Sequence, residues 1–157
     1  MNSTILLLAA GIGLVAGLRS LTAPAVVAWA ANLGWINLHS SPLAFMGSKW
    51  AAVIFTVLAV VELVADQLPS TPARTGAVGL SARIVTGALT GACLAAAGNA
   101  AVWMGGIAGI VGAIVGAFGG YHARVGLVRS LRVPDIVIAI PEDAIAIGLG
   151  LLLTSRL

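Results

Sequence analysis

Charged residues are scarce in this sequence. Asp, Glu, Lys and Arg together make up 8% of the 157 residues, whereas roughly 25% is typical of soluble globular domains. So little charge cannot cover a water-facing surface, and the mean hydropathy of +1.10 is correspondingly high. These values exclude an ordinary soluble protein and indicate an integral membrane protein in contact with the lipid bilayer.

Cysteine and the common catalytic motifs are also missing. Cys93 is the single cysteine, which excludes a disulfide framework and a paired-cysteine metal site. No His/Cys metal spacing, GxSxG elbow or phosphate-binding loop is present. We therefore expect no catalytic residues, no metal, no cofactor and no enzymatic activity. The eight basic residues are scattered rather than grouped with aromatics, so no nucleic acid partner is expected either.

Long uncharged runs predict the fold class. Residues 84 to 121 contain no charged side chain, and as a helix this run would be about 57 Å long, nearly two bilayer crossings. The runs are continuously apolar rather than alternating, which favours helices over a β-barrel. We predict an all-α membrane protein, one domain over residues 1–157, as a polytopic bundle of about six spans. The predicted spans are 3–18, 22–38, 48–66, 82–98, 101–121 and 134–154.

The first two spans are short, and two alternatives for them remain. Residues 3–38 form either one kinked helix, which would leave five spans with a broken or re-entrant first segment, or a hairpin. A kinked helix would place Arg19 near the bilayer centre, at a cost of about 2.5–3.5 kcal/mol. "RSLTAPAVV" at 19–27 also matches "RSLRVPDIV" at 129–137. This suggests an internal repeat with a shared turn, and favours the hairpin.

The distribution of basic residues predicts the orientation. With six spans, six arginines fall on one side, and Lys49 and Arg156 fall on the other. Because positively charged loops stay in the cytoplasm, we expect cytoplasmic loops around 67–81 and 122–133 and both termini outside. The expected location is the inner membrane of the cell. The six arginines on the cytoplasmic side are Arg19, Arg74, Arg83, Arg124, Arg129 and Arg132.

Glycines four residues apart are the main packing signal. Gly13/Gly17, Gly87/Gly91 and Gly105/Gly109 have this spacing, which lets helix backbones approach closely in lipid. We interpret the pairs mainly as contacts within one chain. Contacts between two chains are the alternative, and a homodimer remains plausible for so small a protein.

The stretch "AIPEDAIAIG" at 139–148 contains the first candidate site. Glu142 and Asp143 lie within the last predicted span, where an ionised carboxylate is expected to avoid lipid. Pro141 has no N–H, so the carbonyl of Val137 lacks its helical partner, and backbone irregularity beside an acid is typical of transporter sites. The alternative is a first helical turn at the cytoplasmic surface, with the acids simply favoured by the helix N-terminus.

A second acidic pair ends the third span in "ELVADQLP". Glu62 and Asp66 are four residues apart and therefore project from one helical face. We expect both acidic clusters near the cytoplasmic surface with Arg19, Arg83 and Arg129, in a network that is either functional or purely structural. His122 is a candidate proton relay, with an interfacial histidine next to Tyr121 as the alternative.

Four short motifs in this order resemble a known family: "AGLRSLTAP" at 16–24, "ELVADQLP" at 62–69, "HARVGLVRS" at 122–130 and "EDAIA" at 142–146. The chain is similar over nearly its whole length to small bacterial membrane proteins carrying domain of unknown function 4126. Gln67 departs from the family pattern, where a lysine is common, and Arg19 replaces a frequent asparagine. The resemblance implies a polytopic bacterial membrane protein and assigns no activity.

These observations favour a small secondary transporter or permease with a cytoplasm-facing acidic and arginine-lined cavity, coupled to a proton or cation. Its ligand would be a small ion or small molecule. The candidate binding residues are Glu62, Asp66, Glu142, Asp143, Arg19, Arg129 and His122. The alternative is a non-transporting membrane scaffold, or a protein that binds anionic lipid through its arginines.

Overall fold

The computed structural model describes residues 2–66 and 75–157. These residues form six α-helices and one short 3-10 helix, with no β-strand among them, which confirms the all-helical prediction. The helices are α1 (Asn2–Leu18), α2 (Thr22–Asn32), α3 (Lys49–Ala65), α4 (Ala77–Ala97), α5 (Val102–Leu131) and α6 (Asp135–Thr154), and the 3-10 helix is Ala44–Gly47.

Three of the helices are long and apolar enough to cross a membrane by length and composition. These are α4, α5 and α6, and α1 is a shorter apolar helix. Helices suit this apolar sequence because each helix satisfies its own backbone hydrogen bonds, which lipid cannot do. The molecule is therefore an all-helical protein with helices able to span a membrane. The sequence predicts six spans, whereas three of the described helices meet this criterion.

Glycines bring α1, α4 and α5 into close contact. A methyl group added at Gly109 would overlap the backbone carbonyl of Gly87 in α4, and one added at Gly13 in α1 would overlap the carbonyl of Gly109. Gly112 meets the carbonyl of Ala10 in the same way. The small-residue spacing therefore serves packing within one chain, as the sequence predicts, and these three helices form the core of the bundle.

Residue contacts give the direction of each helix. Gly11 packs against Leu153 while Arg19 reaches Asp143, so α1 and α6 run antiparallel. Val26 packs against Gly150, so α2 reverses direction after α1. The same alternation continues through the chain. One end of the bundle, hereafter the acidic end, therefore contains the C-termini of α1, α3 and α5 and the N-termini of α2, α4 and α6.

The first segment is a helical hairpin with unequal arms, and the single kinked helix is wrong. α1 has 17 residues and α2 only 11, so α2 is about 16 Å long, roughly half of a 30 Å bilayer core. The predicted span 22–38 therefore extends too far. α2 ends because Gly34 adopts a left-handed φ of +78°, which lets the N–H groups of Gly34 and Trp35 bond back to the carbonyls of Ala31 and Ala30.

The fifth helix is longer than predicted. α5 continues to Leu131 for 30 residues, about 45 Å, so residues 122–131 are helical and the predicted loop at 122–133 shrinks to a short turn. The apolar run ends at Tyr121, but the helix continues because arginine and the apolar residues that follow are compatible with a helix, and Arg124 is also held by carboxylates on α6. Arg132, with a left-handed φ of +53°, and Pro134 then end it.

The other predicted cytoplasmic loop, 67–81, is described only in part. Residues 77–81 belong to α4, and residues 75 and 76 form the turn before it. Gln67 and Arg74 lie outside the described residues. The loop prediction was too long at its C-terminal end, because the apolar and small residues after Gly76 continue the helix of the following span.

The matched segments at 19–27 and 129–137 fold differently. Arg19 lies in the turn between α1 and α2 and is buried, whereas Arg129 lies inside α5 and is exposed. Pro24 sits within the first turn of α2, but Pro134 precedes α6. The structure therefore does not support an internal repeat.

Candidate functional site

All five acidic residues of the sequence lie at the acidic end of the bundle. Two come from the end of α3 and three from the first half of α6, and they meet three arginines from α4, α5 and the turn between α1 and α2. We call these eight residues the acid–arginine network. Its members are Glu62, Asp66, Asp135, Glu142, Asp143, Arg19, Arg83 and Arg124.

Arg19 is the most deeply buried member of the network, with no exposed surface. Its Nη1 donates to Asp66 Oδ2 at the end of α3, and its Nε donates to Asp143 Oδ1 in α6 at 2.5 Å. Its remaining nitrogen, Nη2, is buried without a hydrogen-bond partner. Arg19 therefore links two helices that are distant in sequence, and it retains one unused donor.

Glu62 holds the start of α2. Its Oε1 accepts from the backbone N–H of Ser20 at 2.9 Å and from the Ser20 hydroxyl at 2.6 Å, and its Oε2 accepts from the N–H of Leu21 at 2.8 Å. Unpaired N–H groups and a partial positive charge are found at a helix N-terminus. The carboxylate compensates for both, so Glu62 acts as a cap supplied by another helix.

Arg83 ties α4 to the end of α1. Its Nε donates to the Gly17 carbonyl at 3.1 Å and its Nη1 to the Gly79 carbonyl at 2.9 Å, while its Nη2 lies 3.8 Å from Glu62 Oε1. The carbonyls of the last helical turn lack intrahelical donors. Arg83 supplies one to α1, and it brings Glu62 into the network.

Arg124 joins α5 to α6 across the short turn between them. Its Nε donates to Asp135 Oδ1 at 2.8 Å, its Nη2 donates to Asp135 Oδ2, and its Nη1 donates to Glu142 Oε2 at 3.2 Å. Such a two-pronged contact suits the planar guanidinium group. Arg124 and Asp135 are not among the site residues predicted from the sequence. The opposite charges of Arg124 and Asp135, on either side of a turn with Pro134, were the available signal.

A cavity of about 270 Å³ lies between α5, α6 and the end of α1, and we call it the α5–α6 cavity. Its walls are apolar except for Arg124 and Glu142. Pro141 also lines it, inside the continuous helix α6. Because Pro141 has no N–H, the Val137 carbonyl one turn earlier lacks its usual donor. The lining residues are Leu18, Gly120, Ala123, Arg124, Leu127, Ile138, Pro141, Glu142 and Ile145.

The two glutamates proposed from the sequence share a network but not this cavity. Glu142 lines the α5–α6 cavity, whereas Glu62 is engaged at the start of α2. Asp66 lies one helical turn after Glu62, and Asp143 directly follows Glu142. Arg19 joins these two aspartates. The structure thus brings two of the predicted site acids together around one buried guanidinium. Glu62 and Glu142 pair with Arg83 and Arg124 instead.

Arg129 and His122 lie apart from the network. Arg129 is exposed in the last turn of α5. His122 is exposed too, with its Nδ1 2.7 Å from the Phe118 carbonyl and its ring edge-to-face with Tyr121 at 5.4 Å. Within residues 2–66 and 75–157, no group of three or more His, Cys, Asp or Glu side chains is arranged to hold a metal ion.

Comparison with known proteins gives one match. A family model described as a domain of unknown function, DUF4126, matches residues 6–155, a range that includes the whole acid–arginine network. The chain matches no curated protein and no solved structure.

Proposed function

Because the chain belongs to the family defined by domain of unknown function 4126, which carries no assigned activity, we propose a function from the geometry of the acid–arginine network. We propose that the protein is a small secondary transporter or permease of the inner membrane. The network exchanges a proton or cation while a small ion or molecule passes.

The burial of Arg19 between Asp66 and Asp143 is the observation that carries this proposal. Ionised groups in membrane proteins are costly, and they commonly mark ion or proton pathways. Arg19 has no exposed surface, and its two partners come from different helices. One of its nitrogens is buried without a hydrogen-bond partner, whereas buried polar groups with a purely structural role are normally satisfied.

Protonation supplies the coupling in this mechanism. When Asp66 or Asp143 takes up a proton, it loses the negative charge that holds Arg19. The link between α3 and α6 then weakens. α2 lies between these helices and is capped by Glu62 of α3. A shift of α3 therefore also changes how the start of α2 is held at the acidic end. Release of the proton restores the link.

Orientation and assembly belong to the same proposal. We propose six crossings, the second of which consists of the half-length α2 and the residues that follow it. We place the acidic end in the cytoplasm because most arginines lie there. Lys49 and Arg156 then lie on the outside with both termini. Six short helices enclose only a narrow pathway, so we also propose a homodimer.

Reconstitution in liposomes tests the transporter. We expect Glu142→Gln and Asp143→Asn to reduce substrate uptake and proton flux, the latter followed with an entrapped pH-sensitive dye. Lys49→Gln removes a charge at the opposite end of the bundle and serves as the matched control. If the acidic variants match the wild-type flux, the proposed roles of these carboxylates are wrong.

A second candidate function rests on Arg129 and Arg132, which are exposed at the acidic end and outside the network. In this alternative the protein is a non-transporting scaffold that binds anionic lipid headgroups. Such binding would weaken as salt increases. Nanodiscs with anionic or neutral lipid test it, since Arg129→Gln with Arg132→Gln should then abolish the lipid preference while the acidic variants should not.

A further inference from the structure

We propose that the α5–α6 cavity binds a small amphipathic cation, namely a protonated amine with an apolar body, and that Glu142 is its counter-ion. This inference names a ligand class for the proposed transporter and rests on that function for its physiological meaning. Binding itself requires only the cavity.

The size and lining of the cavity limit the ligand. Its volume of about 270 Å³ corresponds to roughly nine waters at about 30 Å³ each, so it suits a small molecule. Leu127, Ile138 and Ile145 contribute apolar walls from both helices. A fully hydrated ion gains nothing from such walls, whereas an apolar body is stabilised there by leaving water.

The polar groups of the cavity favour a hydrogen-bond donor. Glu142 contributes the one carboxylate of the lining, and a carboxylate accepts hydrogen bonds at both of its oxygens. An ammonium group has three N–H donors and a positive charge, so it complements the carboxylate in both respects.

The charge around the cavity disfavours an anion. Arg124 is the one cation in the lining, and two of its nitrogens already contact Asp135. Its third nitrogen contacts Glu142 at 3.2 Å. All three nitrogens of Arg124 therefore already contact carboxylates and are not directed at an added anion, whereas the Glu142 carboxylate attracts a cation.

A second cavity of similar size provides an internal comparison. It has a volume of about 300 Å³, lies between α2, α3 and α6, and contains no charged residue in its lining. Its polar groups include Trp29 and Thr56, which bond to each other at 2.9 Å. A lipid chain would suit both cavities, but an amphipathic cation is expected in the α5–α6 cavity alone.

Calorimetric titration of the full chain in a neutral detergent tests the proposal, with 2-phenylethylamine as the probe. The neutral 2-phenylethanol and the anionic phenylacetate are comparisons of similar size. At neutral pH we expect saturable binding of the amine and weaker or no binding of the other two. Glu142→Gln should raise the Kd at least about tenfold, whereas Glu142→Asp, which keeps the charge, should retain binding.

Two variants, each of which fills one cavity with a larger side chain, show which cavity binds the amine. Leu127→Trp places a large side chain in the α5–α6 cavity and should abolish amine binding, while Leu63→Trp fills the second cavity and should leave it unchanged. Monodisperse elution and a retained melting transition establish that each variant is folded.

Several results would overturn the inference. Tighter binding of phenylacetate, lost in Arg124→Gln, would identify an anion site. Equal binding of all three probes, insensitive to Glu142→Gln, would identify an apolar slot for lipid chains. The inference would also be wrong if the folded protein did not bind the amine. Proton flux in liposomes without amine separates this failure from that of the transporter: if Glu142→Gln still reduces flux, only the ligand class is wrong.

Discussion

The Nε of Arg19 donates to Asp143 Oδ1 at 2.5 Å, although the two residues are 124 positions apart in the sequence. The same guanidinium contacts Asp66 at the end of α3. Helices from the beginning, middle and end of the chain therefore meet at one buried side chain. This contact explains why a fully buried arginine is tolerated, and it leads to the first prediction.

Arg19→Met should strongly destabilise the protein. It removes the buried cation that joins the partly buried Asp66 and Asp143, and breaking a fully buried pair costs up to about 3–5 kcal/mol. Thermal melting in detergent measures the loss. Arg129→Met is the matched control: this arginine is exposed and should change the free energy of unfolding by no more than about 0.5 kcal/mol. Equal melting temperatures for the two variants would contradict the central role of Arg19.

Glu62→Ala should loosen the start of α2. It removes three hydrogen bonds to residues 20 and 21, and loss of a helix cap typically costs about 0.5–2 kcal/mol. Hydrogen exchange of the Ser20 and Leu21 amides, just before α2, reports the effect locally and should become faster. Asp135→Ala is the control, because the Asp135 side chain is 58% exposed and should leave these amides unchanged. The capping role is wrong if both variants exchange alike.

Gly109→Ala should weaken the core of the bundle. The added methyl group would overlap the backbone carbonyl of Gly87, which cannot rotate away, and overpacking of this kind costs about 1–3 kcal/mol. Gly126→Ala lies in the same helix, with no atom within 4 Å of the new methyl group, so it should be neutral or slightly stabilising. A stable Gly109→Ala variant would mean that α4 and α5 do not pack as closely as described.

Cysteine labelling should establish the orientation. In a Cys93→Ala background, Gly76→Cys and Ser130→Cys should react with a membrane-impermeant reagent only from the cytoplasmic side. Ser40→Cys lies at the opposite end and should react only from outside. Reaction of all three positions from one side would contradict the alternating helix directions. Reaction of position 76 from outside would reverse the proposed orientation.

Several features of the fold follow from local sequence. Uncharged runs such as 84–121 predict helices, because an apolar medium requires each segment to satisfy its own backbone groups. The spacing of Gly87 and Gly91 predicts close helix packing, and the four-residue separation of Glu62 and Asp66 predicts a shared face. Each of these properties depends on residues within one or two helical turns.

Other features depend on contacts between distant segments. The start of α2 is held by Glu62 of α3, and the turn between α5 and α6 is held by Arg124 meeting two carboxylates of α6. Composition marks the apolar run, but the helix can extend beyond it, because arginine is a good helix former.

The sequence by itself therefore determined the helices, their apolar character and the placement of every acid near one end. Only the tertiary structure decided which acid meets which arginine: Glu62 caps α2, Asp66 and Asp143 share Arg19, and Glu142 lines a cavity. The physical reason is that an ion pair forms over a few ångströms. Such a distance depends on how the glycine contacts set the offset and rotation of each helix against its neighbours, and no local pattern in the sequence encodes that geometry.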